Sequence, residues 1–217
     1  WGVMVTLGFA VAVIEQALML SHLRLQVGTA LLSTLGAIAA GIAGAKVWYI
    51  VKHHRKRDFI GWCIQGFITG ATAGAIVLFL ITRVPVGTVL DATAPGLMLG
   101  MAVGRVGCFF AGCCGGPPTA ARWGVWCSDQ HVGARRVPTQ LMESLFCLLV
   151  GVATFVVVWL RGPSGGAYFI AAVAAYTLFR EWILRLRSEP LAHRVPVAIV
   201  PGVSAVVLIG ACVALVR

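Results

Sequence analysis

The chain has 217 residues, 59% of them hydrophobic and only 11% charged, and it carries a net charge of +10. A water-soluble domain of this length needs a polar shell that so few polar residues cannot build, so the medium around most of the chain is lipid. The excess of cations suits anionic phospholipid head groups, and with no soluble basic domain to present, nucleic acid is not an expected partner.

A helix that crosses the hydrocarbon layer needs about 20 mostly apolar residues. That window predicts seven spans, at 1–20, 27–51, 59–82, 88–110, 139–160, 165–185 and 195–216. A transmembrane β-barrel would alternate apolar and polar residues, and runs such as 149-LVGVATFVVVWL-160 do not. The expectation is an all-α integral membrane protein, a bundle of about seven transmembrane helices forming one domain over 1–217. The chain opens on Trp1 and shows no cleavable leader, so its natural beginning is expected upstream.

In chain order, the first span is interrupted by Glu15 and Gln16, and the second carries Gly36, Gly41 and Gly44 with Lys46 near its end. The fourth opens near Asp91 and places Gly96, Gly100, Gly104 and Gly107 at spacings of four and three. Such stripes of small residues let helix backbones approach in lipid. The same span ends in 104-GRVGCFFAGCCGG-116, which sets Arg105 within a long apolar run. The polar stretch 115–138 follows, and a loop of that length is often functional. The fifth span holds Glu143 in 138-PTQLMES-144, and the sixth holds Arg180 beside Glu181 in 176-YTLFREW-182.

Ionisable groups at membrane depth are costly and mark functional sites. The plain alternative is an ion pair within the bundle, or a long side chain reaching back to the interface; it suits Lys46 and Arg187, near span ends, best. Arginine cannot discharge by losing a proton, so Arg105 and Arg180 are the stronger functional candidates. Two arginines facing one cavity would form a phosphate clamp.

Seven cysteines occur. Cys147 and Cys212 lie in apolar helix sequence and read as small core residues. Cys108, Cys113, Cys114 and Cys127 surround the long loop with a C-x4-C-C-x12-C spacing that matches no zinc framework. Cys108, Cys113 and Cys114 are candidate reactive thiols, since Arg105 and the basic loops would lower a thiol pKa. Inert packing and a structural disulfide are the alternatives.

The order of motifs resembles the prolipoprotein diacylglyceryl transferase family nearly end to end. The opening 1-WGVMVTLGFA-10 is similar to the family's first span and 44-GAKVWY-49 to its Gly-Ala-Arg-x-x-Tyr element. The stretch 91-DATAPGLMLGMAVGRVGCF-109 resembles the family's Asp-x-x-Ala-Pro-Gly-x-x-x-Gly-x-x-x-Gly-Arg-x-Gly run, residue by residue. Further on, 123-WGV-125, 138-PTQLMES-144 and 176-YTLFR-180 resemble its later elements. The resemblance implies a seven-span enzyme of the bacterial plasma membrane that moves diacylglycerol from phosphatidylglycerol to an acceptor protein's cysteine, without metal or organic cofactor. It places Arg105 and Arg180 on the phosphate-binding arginines, Gly104, Gly107 and Gly116 on motif glycines, and Glu143 on the motif glutamate.

Three departures bear on the chemistry. Gln65 stands where the family has an essential His, with Phe67 in place of a glycine; Cys108, Ala111 and Cys113 replace Asn, Asn and Glu; Trp1 replaces a tyrosine. Gln65 would orient an acceptor but is no general base, leaving Glu143 or a Cys113 thiolate for that role. The alternative function is thiol redox or thiol transfer on the same scaffold through Cys108, Cys113 and Cys114; non-catalytic lipid binding is a third. Orientation is likewise in conflict. Basic residues are richest in the second, fourth and sixth connections, which by the positive-inside rule puts the N-terminus in the cytoplasm. The resemblance implies an N-terminus outside, and is preferred because several of those arginines would then serve as ligands.

Overall fold

A computed structural model of the protein describes residues 2–52, 64–126, 133–186 and 199–216. Among these, seven helices follow one another: α1 (Gly2–His22), α2 (Val27–Lys52), α3 (Ile64–Thr82), α4 (Val86–Phe110), α5 (Thr139–Arg161), α6 (Ala167–Arg185) and α7 (Ile199–Val216). Wherever a helix end borders described residues, it falls within two residues of the sequence expectation. In hydrocarbon every backbone N–H and C=O must be satisfied within the segment, and the helix does this for any apolar run long enough. By length and composition five of the helices, α1, α2, α4, α5 and α6, suffice to cross a membrane; α3 contributes a shorter apolar helical stretch over Thr69–Thr82.

Short connections make neighbouring helices antiparallel. α1 and α3 end on Arg24 (φ 56°) and Arg83 (φ 51°), left-handed positions usually given to glycine. There a cation faces the negative end of the helix dipole. The sequence missed one small element. Within the long loop, β1 (Val125–Trp126) and β2 (Arg135–Arg136) pair antiparallel, and Pro118 bridges to Arg136. Two-residue strands carry no readable alternation.

The glycine stripe of α4 does what its spacing implies. A Cβ at Gly8 would lie 2.6 Å from the Gly100 carbonyl oxygen, and one at Gly100 would lie 2.6 Å from that of Gly8. α1 and α4 therefore touch backbone to backbone, as helices in lipid do when small residues face each other.

Asp91, a candidate functional charge by sequence, is structural. It is fully buried, and its Oδ2 accepts hydrogen bonds from Ser164 N (2.6 Å), Gly166 N (2.9 Å) and Ser164 Oγ (3.1 Å). Its Oδ1 accepts from Phe169 N at 3.2 Å. A side chain on α4 thus caps the N-terminus of α6, where unpaired N–H groups and the helix dipole favour an anion. Asp91→Ala strands three backbone donors away from water. It is expected to lower unfolding stability in detergent by on the order of 3 kcal/mol, measured by denaturant titration.

Candidate active site

Arg105 lies in the last two turns of α4, Glu143 in the second turn of α5, and Tyr176 and Arg180 one turn apart on α6. Because α4, α5 and α6 alternate in direction, the end of α4, the start of α5 and the end of α6 meet at one face of the membrane. All four side chains converge there. Glu143 Oε1 lies 2.8 Å from Arg105 Nη2 and 3.0 Å from Arg180 Nη1. The Tyr176 hydroxyl donates to the same oxygen at 2.8 Å and accepts from Arg105 (3.2 Å) and Arg180 (3.1 Å).

Two guanidiniums share one carboxylate, so the cluster keeps a net positive charge. Its exposure is graded. The Glu143 side chain is fully buried, Arg105 is 16% exposed and Arg180 is 36% exposed. Glu143 thus sits at the bottom, with the cations between it and the opening. Gly104, next to Arg105 in sequence, has nothing within 4 Å of where a Cβ would stand.

The start of α5 is fastened to its surroundings. Ser144 Oγ donates to the Ala102 carbonyl (2.7 Å), Thr139 Oγ1 to that of Cys114 (2.8 Å), and Gln140 Nε2 to that of Cys113 (2.7 Å). The cysteine-bearing turn is thereby a backbone support for the helix that carries Glu143. Gly116 belongs to this support: its N–H donates to the Val137 carbonyl at 3.0 Å. Gly107 is buried within α4.

Cys108, Cys113, Cys114 and the fully buried Cys147 are free thiols. The lowered thiol pKa expected from basic neighbours is reversed at Cys113. Burial first, then the neighbouring Cys108 and Cys114 sulfurs, push this thiol up to about 12. That direction lends no support to the thiolate base considered at Cys113. Among the described residues no three His, Cys, Asp or Glu side chains gather as a metal-binding set. Cys63, Cys127, Arg187 and the side chains of Gln65 and Cys212 lie outside the described residues.

Sequence reasoning brought Arg105, Arg180 and Glu143 into one list, and they meet. It left out Tyr176, which touches all three. The usable signal was its position four residues before Arg180, on the same helix face. Glu15 was expected to have an ion-pair partner if it was structural. Instead its carboxylate is buried against Gly96, with neither oxygen in a side-chain hydrogen bond.

A family model described as prolipoprotein diacylglyceryl transferase matches residues 1–217. The phosphatidylglycerol–prolipoprotein diacylglyceryl transferase of Nostoc sp. is 31% identical over 192 residues, covering 77% of this chain and 68% of its own. The protein of that name from Frankia alni is 28% identical over 232 residues, covering 99% and 62%. The phosphatidylglycerol–prolipoprotein diacylglyceryl transferase 2 of Clostridium perfringens is 28% identical over 173 residues, covering 73% and 66%. The chain spans about two thirds of the length of these relatives.

Proposed function

This chain belongs to the prolipoprotein diacylglyceryl transferase family, and on that premise we propose that it transfers the diacylglyceryl group of phosphatidylglycerol to a thiol of an acceptor protein in a bacterial plasma membrane. The observation that carries this reading is the pairing of Arg105 and Arg180 over one buried carboxylate. It leaves cationic charge unspent at the mouth of a low-dielectric site, where fixed donors act more strongly on an anion than they do in water. A phosphodiester is the anion that two guanidinium forks fit.

In this scheme Arg105 and Arg180 grip the phosphate, with Gly104 and Gly107 keeping the same stretch of α4 slim. Glu143 is a positioning residue: it holds two like charges together before substrate arrives, and Tyr176 ties all three. The acceptor sulfur forms a bond to the glyceryl carbon as the bond from that carbon to the phosphate oxygen breaks. The electron pair leaves with glycerol phosphate, whose monoester has a second pKa of about 6 and can take the proton released by the thiol. The reaction then balances without the family's histidine, and Gln65, in that place, would orient the acceptor by hydrogen bonding.

Neither the cysteine geometry nor the relatives' names support the thiol-redox alternative. One experiment tests the choice. Purified protein in vesicles with labelled phosphatidylglycerol and a peptide bearing one acceptor cysteine is expected to transfer label. The triple variant Cys108→Ser, Cys113→Ser, Cys114→Ser is expected to retain that transfer within about threefold, since it keeps the backbone carbonyls that hold α5. Loss of transfer in a variant that still binds the lipid would overturn the assignment.

A further inference from the structure

α5 ends and α6 begins at the membrane face opposite the arginine cluster. From that face a groove of about 400 Å3 runs inward between α5, α6 and α7. Its walls are Val150, Ala153 and Val157 on α5, Ala171 and Ala175 on α6, and Leu208 on α7. The alanines leave the consecutive helices α5 and α6 only sparsely packed against each other. Thr154 also lines the groove, but its hydroxyl donates to the Val150 carbonyl of its own helix at 2.7 Å. The walls therefore present hydrocarbon.

The mouth is different. Arg161, which is exposed, and Tyr168 line the same groove at its outer end. Among the described residues Arg161 forms no ion pair and the Tyr168 hydroxyl makes no hydrogen bond. The Tyr168 ring packs on the core that holds Val89 and Val158, and a side chain in the first turn of a helix leans toward the helix N-terminus, which aims the hydroxyl outward. Asp91, the described carboxylate beside the start of α6, is already occupied by Ser164, Gly166 and Phe169. Arg24 and Arg83, exposed just past α1 and α3, add to the cationic character of this face. Arg161 and Val150 stand about 16 Å apart along α5 at 1.5 Å per residue. That is the depth of one leaflet's hydrocarbon, about 15 Å.

We propose that this groove binds one anionic phospholipid of the leaflet opposite the active site, with its phosphate at Arg161 and the Tyr168 hydroxyl and one acyl chain along the alanine-lined walls. This lipid is distinct from the donor of the proposed reaction and undergoes no chemistry. Any phospholipid chain fits the walls, so selectivity lies at the mouth. A guanidinium without a carboxylate partner takes a phosphodiester through two parallel donors, whereas a choline head group would bring a second cation to the same place. Because three helices line the groove, its occupant links α7 to α5 and α6.

The test uses the whole chain in phosphatidylcholine nanodiscs doped with a photoreactive phosphatidylglycerol or phosphatidylcholine, each with a diazirine halfway along one acyl chain. Labelled residues are mapped by mass spectrometry after illumination. In the wild type, label is expected within 153–157 and 171–175, about fivefold stronger for phosphatidylglycerol, the usual contribution of one basic residue at an anionic lipid surface. Arg161→Gln is expected to bring the two lipids level. Ala153→Phe, at an exposed helix position, fills the groove and is expected to remove the label while Arg161 is intact. Arg105→Ala is expected to leave the label in place, since that guanidinium lies at the other face. Equal labelling by the two lipids in the wild type would overturn the proposal. So would a preference that survives Arg161→Gln, or label that vanishes with Arg105→Ala.

Discussion

Arg105→Ala is expected to lower kcat/KM for diacylglyceryl transfer by about 100- to 1000-fold, the usual loss when one preorganised donor to a developing anion is removed. The residue has no substitute. Arg180 approaches the phosphate position from α6, and the removal of Arg105 leaves Glu143 facing a single guanidinium, so the net positive charge at the mouth is gone. Arg105→Lys keeps the charge but lacks the planar two-donor fork, and should recover only part of the activity. Initial rates at varied phosphatidylglycerol separate the two effects. An Arg105→Ala protein with near wild-type turnover would end the phosphate-clamp reading.

The second large effect falls on stability. Glu143→Ala leaves two guanidiniums and a tyrosine hydroxyl around an empty centre. Breaking a fully buried pair by removing one partner costs about 3–5 kcal/mol. Because Arg180 is 36% exposed and water can reach it, a loss of about 2–3 kcal/mol is expected here. Glu143→Gln retains an acceptor oxygen and should lose less stability while still losing activity, since a neutral amide does not hold two cations in register. Denaturant titration in detergent beside the transfer assay resolves the two readouts. A Glu143→Ala protein as stable as the wild type would show that the carboxylate does not organise the cluster.

The helices were legible because lipid imposes one requirement on every spanning segment, apolar length, and that is a local property of the sequence. The arginines were legible for a related reason: a group that cannot lose its charge stands out against hydrocarbon. What escaped depends on pairing between distant segments. Asp91 looked like a site charge because its partners, Ser164, Gly166 and Phe169, lie more than 70 positions away and offer backbone N–H groups and one hydroxyl. Tyr176 stood in the 176-YTLFR-180 motif with no role of its own until Arg105 and Glu143 were brought to it. At Cys113 the basic residues near in sequence do not act on the thiol, and burial with the Cys108 and Cys114 sulfurs raises it. The β1–β2 ladder is set by loop closure over two residues a side, too short for any periodic signal.

The Asp91 cap also governs where the bundle can give. α6 is pinned to α4 by that carboxylate at one membrane face and by Tyr176 with Arg105 at the other, anchor points about 20 Å apart along α4 at 1.5 Å per residue. A rod fastened twice neither slides nor swings, so α4 and α6 behave as a stiff frame. α1 adheres to that frame along its glycine seam but meets α2 far more sparsely. Any yielding between helices is thereby expected where the α2–α3 pair meets the rest of the bundle.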